Sequence, residues 1–141
     1  MNEAADCAIC RIPDSEIIAR SPNSRAFFPA SPIAAAHIVV AVREHRRFLH
    51  DVSDEEAADL MVTARRIASE LVPLTGVSKF YVAAVGDVDL HFHIHLLPRT
   101  PETPGLGPFI FGPDGWGSKI QAGMQDEAVR DDIRRALLKG A

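Results

Sequence analysis

The sequence predicts an α+β domain in which one long helix lies on one face of an antiparallel sheet, and three observations carry that expectation. First, His91-Phe92-His93-Ile94-His95-Leu96-Leu97 alternates imidazole and apolar side chains with the period of a half-buried strand, not of a helix. Second, Ser53-Asp54-Glu55-Glu56 has the form of a capping box and opens a sustained apolar stripe. Third, short strand-like runs stand on both sides of that helix, and the link into the histidine run is too short for a parallel crossover.

Taken in order, Glu16-Ile17-Ile18-Ala19-Arg20 and Arg25-Ala26-Phe27-Phe28 read as two strands joined by the turn Ser21-Pro22-Asn23-Ser24. Pro29 and Pro32 end the pair, because proline has no N–H to give to a ladder. His37-Ile38-Val39-Val40-Ala41-Val42 is an uninterrupted β-branched run, expected of a strand buried on both faces. His45 stands just beyond it, and His50, alone at a chain reversal, reads as structural. The helix opened by Ser53 places Ala57, Leu60, Met61, Ala64, Ile67, Ala68 and Leu71 on one side, and Pro73 is expected to end it. Lys79-Phe80-Tyr81-Val82-Ala83-Ala84-Val85 is the fourth strand, and Gly86-Asp87-Val88-Asp89 turns it into the histidine strand as an antiparallel hairpin. Thr100 to Gly117 is rich in Pro and Gly, yet its Phe109, Ile110, Phe111 and Trp116 imply a segment that packs. Met124 to Lys139 reads as a last amphipathic helix, with Val129, Ile133, Ala136 and Leu137 on one face.

The 141 residues suit one domain, 1–141, with a core over 6–100 and a tail and helix over 101–141. The net charge of −4 argues against a nucleic-acid surface. No run approaches the ~20 apolar residues of a membrane span, and the first residues lack a basic and apolar leader, so a cytoplasmic protein is expected.

Half of the six histidines fall within residues 91–95. Thr, Lys or Glu would serve an ordinary solvent-facing side of a strand, so the choice of imidazole points to chemistry. A neutral ring nitrogen near pH 7 can attack, take a proton or bind a metal. Alternation places the three rings on one face, neighbours roughly 6.6 Å apart. They could act as a nucleophile with two supporting groups, or as three ligands of a catalytic metal with an open position. Both cysteines stand in Cys7-Ala8-Ile9-Cys10, a spacing that suits a redox dithiol or half of a zinc site. Pro13 follows within three residues where a redox motif would open a helix, which favours metal ligation.

His91 to Leu97 followed by Pro98-Arg99 resembles the signature of the histidine triad (HIT) family of nucleotide hydrolases and transferases. Cys7-Ala8-Ile9-Cys10-Arg11-Ile12 resembles the cysteine element of its zinc-carrying bacterial members, and His37 through His45 its histidine-bounded strand. The resemblance spans roughly residues 6 to 100 and implies a five-stranded antiparallel sheet with helices, a nucleotide substrate and a homodimer. The homodimer also suits the apolar stripe of the long helix and the apolar tail, with Trp116 near the partner's site. It implies that His93 attacks the α-phosphate of a nucleotide derivative, a dinucleoside polyphosphate or nucleoside phosphoramidate, forming a nucleotidyl-histidine that water resolves. His95 and His37 would support that nucleophile, and His91, His95, Phe27 and Gly86 would stand on the substrate side. A structural zinc would be held by Cys7, Cys10, His45 and His91. Two places depart from the family's pattern: Pro29-Ala30 replaces the acid that usually holds the ribose, and the phosphate loop is shortened to Gly86-Asp87-Val88-Asp89. A zinc-stabilised nucleotide-binding protein without turnover, or a metal-dependent hydrolase using the three triad histidines, are the competing expectations.

Overall fold

Five strands form one antiparallel sheet: β1 (Ile17–Arg20), β2 (Ser24–Phe27), β3 (Ile38–Val42), β4 (Lys79–Ala83) and β5 (His93–Arg99), in the order β1-β2-β3-β5-β4. The computed structural model describes residues 3–103, 105, 107 and 127–139, with helices α1 (Glu3–Asp6), α2 (Asp54–Thr75) and α3 (Glu127–Lys139). The α+β architecture expected from the sequence is the one observed. Phe109 to Trp116 and the first residues of the expected last helix lie outside the described residues.

The two faces of the sheet have different duties, set by the period-2 alternation of its central strands. Ile38, Val40 and Val42 of β3 and Ile94 and Leu96 of β5 point to the back. There they pack against Leu60, Ala64, Ile67 and Leu71 of α2 and Ile133 and Leu137 of α3. On the front, Val39 and Ala41 form a smaller cluster with Ile9, Ile17 and Phe27. β3 is therefore buried at every residue, as its β-branched run requires. Register pairs Val39 with His95 and Ala41 with His93, so the front of β5 presents imidazoles beside an apolar floor.

Helix α2 starts as the sequence says: Ser53 Oγ accepts from the Glu56 amide at 3.1 Å, and the Glu56 carboxylate accepts from the Ser53 amide at 3.0 Å. It does not stop at Pro73. Pro73 gives up its own N–H bond inside the last turn, and the helix still runs two residues further, with Thr75 Oγ1 donating to the Leu71 carbonyl at 2.7 Å. Gly76, at φ 70°, then provides the left-handed cap. The buried stripe is also rotated from the expected one. Met61 is 49% exposed, whereas Glu56 and Thr63 are buried beside Leu60, Ala64, Ile67 and Leu71.

The connection between β4 and β5 is longer than the tight turn expected. β4 ends at Ala83 and β5 begins only at His93. His91 and Phe92 have left the hairpin because their backbone is bound elsewhere: the Phe92 amide donates to the Arg46 carbonyl at 2.6 Å, and the Val42 amide donates to the Phe92 carbonyl at 3.3 Å. One loop, just beyond β3, thus holds the entry to the histidine strand.

Candidate active site and metal centre

His37, His95 and His93 stand in contact on the front of the sheet, and their tautomers follow from their hydrogen-bond partners. The Ile33 amide donates to His37 Nδ1 at 3.2 Å, which leaves the proton of His37 on Nε2. That Nε2 stands 2.9 Å from His95 Nδ1, so it donates and His95 carries its own proton on Nε2. His93 Nδ1 lies 2.5 Å from the His91 carbonyl and must donate to it. The lone pair of His93 is consequently on Nε2, on the side of the ring away from the backbone. His93 and His95 stand edge to face with centroids 5.1 Å apart.

Burial keeps the supporting pair neutral. Desolvation, with the charges of His95 and Arg130 adding to it, pushes His37 down to about 3. Desolvation and then His93 push His95 down to about 4. At neutral pH, His95 therefore offers a fixed N–H donor, oriented through His37 by the main chain of Ile33. A neutral imidazole with a free Nε2 beside an oriented N–H donor can attack an electrophile and stabilise the charge that develops on it.

His91 faces a different task. Its Nε2 donates to the Val42 carbonyl at 2.6 Å, which frees Nδ1. Nδ1 stands 3.5 Å from Cys7 Sγ and 3.3 Å from Cys10 Sγ, and Cys10 Sγ stands 3.5 Å from His45 Nδ1. Tetrahedral ligation with bonds of ~2.3 Å to sulfur and ~2.0 to 2.1 Å to nitrogen separates S and N by about 3.5 Å. The four donor atoms all lie within 4.8 Å of one another, so Cys7, Cys10, His45 and His91 could hold a metal ion. The surroundings fit that use. The Cys10 amide donates to Cys7 Sγ at 3.4 Å, and Glu3 Oε2 stands 3.9 Å from His45 Nε2. Burial, reinforced by the neighbouring Cys7, pushes the Cys10 thiol up to about 11, a penalty on the thiolate that a bound cation reverses.

The alternation of the triad is thus only partly a shared face. His93 and His95 remain together, while His91, two residues before β5 and fully buried, turns its donor to the cysteines. Gly86 and Asp87 line a cavity of about 490 Å3 together with Phe48, Leu90, His91 and His93. Asp89 lies away from it, in a second cavity beside Cys7 and His45. Phe27 is on the front of the sheet but buried under Ile9 and Ile17. His50 is exposed and stacks on Phe48. The sequence reading missed the partner of Glu56: Arg46 meets its carboxylate at 3.0 to 3.2 Å, a pair whose only trace in the sequence is an arginine next to His45.

The HIT domain model matches residues 12–102, well over half of the chain. The chain belongs to the HIT domain family. The match takes in the triad, His37 and His45 but begins after the two cysteines. Among HIT relatives, the adenosine 5'-monophosphoramidase of Schizosaccharomyces pombe is 29% identical over 133 residues, covering 90% of this chain and 95% of its own length. That of Saccharomyces cerevisiae is 33% identical over 108 residues, covering 72% of this chain and 68% of its own. Among solved HIT structures, a zinc-bound histidine triad family protein from Mycobacterium smegmatis superimposes with a TM-score of 0.70 at 19% identity, over 96% of each chain.

Proposed function

We propose that this HIT protein hydrolyses a nucleoside 5'-phosphoramidate through a nucleotidyl-histidine on His93. The observation that carries the reading is the fixed tautomer of His93, with Nδ1–H on the His91 carbonyl and the lone pair on Nε2. Nε2 attacks phosphorus as the bond to the leaving amine breaks, and the amine departs with a proton from solvent. The ring becomes cationic in the intermediate, and its Nδ1–H bond to the His91 carbonyl becomes charge-assisted. His95 donates from Nε2 to a phosphoryl oxygen. Water then displaces the ring and regenerates neutral His93.

Asp87 favours one of the two leaving groups that the sequence left open. A carboxylate on the wall of the cavity that His93 lines repels a departing polyphosphate and attracts an amine as it gains a proton. The monophosphoramidase activity named for the two fungal relatives agrees. Turnover of an adenosine 5'-phosphoramidate measured beside a diadenosine polyphosphate tests this. A preference in kcat/KM of at least about tenfold for the P–N bond is expected, one 1.4 kcal/mol step. A preference of that size for the anhydride contradicts it.

Within this reading the metal is zinc and structural. Cys7, Cys10, His45 and His91 would hold it as a four-donor set, so it would brace the site rather than supply an activated water. The geometry supports this over a metal held by the three triad histidines, because His91 aims its free nitrogen away from His93 and His95. We also propose a homodimer. α2 leaves Met61, Val62, Val72 and Leu74 exposed, and β4 is a sheet edge carrying Val82 at 49% exposure.

A further inference from the structure

Glu56 is nearly buried, its side chain only 7% exposed, and a carboxylate in that position needs a charged partner. It has Arg46, whose Nε reaches both carboxylate oxygens at 3.2 Å and whose Nη2 reaches Oε1 at 3.0 Å. The same carboxylate caps α2 through the Ser53 amide, so it cannot follow the arginine elsewhere. Arg46 in turn offers its carbonyl to the Phe92 amide at 2.6 Å. Phe92 stands between His91, whose carbonyl fixes the His93 tautomer, and His93 itself. An ion pair on the N-terminal turn of α2 is thus three links from the nucleophile, from Glu56 to Arg46, Arg46 to Phe92 and Phe92 to His93.

We propose that Arg46, clamped by Glu56, is a positioning residue that sets the His93 Nδ1–H bond to the His91 carbonyl and hence keeps the attacking lone pair on Nε2. This rests on the reading of His93 as nucleophile. Among the described ion pairs of the loop after β3, those of His45 and Arg47 reach Glu3 of the four-residue α1, whereas Arg46–Glu56 ties the loop to α2 and anchors the residue whose carbonyl accepts from the Phe92 amide. Small displacements there reach the ring of His93 directly, because a nucleophile needs its geometry held to fractions of an ångström.

The test compares wild type with Arg46→Met, Arg46→Lys and Glu56→Gln, with Asp59→Asn as a control. Asp59 accepts from Ser24 Oγ at 2.8 Å and from the Asn23 amide at 3.1 Å, and so ties α2 to the β1–β2 turn without touching the histidines. In Arg46→Met and Glu56→Gln, kcat for a nucleoside phosphoramidate should fall about tenfold with KM within about twofold. Arg46→Lys should recover most of the loss. Asp59→Asn should lower the melting temperature and leave kcat alone. Two-bond proton–nitrogen spectra of the imidazoles should show His93 as one Nδ1–H tautomer in wild type and as a mixture in Arg46→Met. If Arg46→Met does not fold, Glu56→Gln gives the same readings. Unchanged kcat and an unchanged tautomer in both overturn the proposal, as does a loss matched by Asp59→Asn. A wild type that forms no adduct on His93 overturns the nucleophile reading instead, and the tautomer spectra still decide the positioning claim.

Discussion

His95 is worth a definite amount at the residue scale because its proton is placed by a neighbour. With His37 Nε2 at 2.9 Å holding its Nδ1, its Nε2–H is free to serve as the proposed donor to the phosphoryl group, and one positioned donor contributes roughly 10²-fold. His95→Ala should therefore lose about that factor in kcat, and steady-state kinetics on a phosphoramidate would show it. A loss under about threefold would remove His95 from that role. The same burial makes both histidines titrate against folding. Their folded values, about 3 for His37 and about 4 for His95, lie below the ordinary value of 6.5. Between those limits the unfolded chain binds more protons, so stability is full above pH ~6.5 and falls as the pH drops toward 4 and then 3. Urea unfolding at pH 7 and pH 5 should show wild type losing stability and His37→Gln losing less. An equal loss in both would contradict the placement of His37.

At the scale of elements, the proposed metal would tie down an N-terminal segment whose own helix, α1, has only four residues and none of them buried. Cys7→Ser should lower bound zinc from near one to under about 0.2 per chain in protein purified without chelator. His93→Ala should keep the metal. Elemental analysis reads both, and the reverse pattern would refute the assignment. The elements were largely legible in the sequence, for physical reasons that also mark where legibility ends. The capping box at Ser53 is a local hydrogen-bond pattern, so its start was readable. The end of α2 was not, because Pro73 in the last turn costs little when Gly76 follows as a left-handed cap. Alternation placed His93 and His95 correctly on one face. It misplaced His91, whose orientation is set by Val42 and two cysteines distant in sequence. Arg46 with Glu56 was hidden for the same reason: a capping glutamate looks complete without its second partner.

For the whole molecule, the order of elements was enough to give the sheet and its helix-covered back, because period-2 and period-3.6 patterns fix which faces are buried. The placement of β5 between β3 and β4, which leaves β4 at the edge, is a tertiary fact that local pattern does not contain. Exposed apolar groups on α2 and the free edge of β4 lead us to expect a dimer of about twice 15.3 kDa by light scattering at micromolar concentration. A monomer throughout that range would contradict the proposed assembly. No helix among the described residues is long and apolar enough to cross a membrane. The front of the sheet is central, since the two histidine tautomers there present one free nitrogen, the proposed nucleophile, beside one N–H donor. Its most direct test is intact-mass and peptide mapping after rapid quenching with a nucleoside phosphoramidate. The account requires one nucleotidyl group on wild type, mapped to His93, and none on a His93→Ala protein that still binds nucleotide and has lost at least about 10³-fold in turnover. An adduct on another residue, or undiminished turnover in His93→Ala, would contradict it.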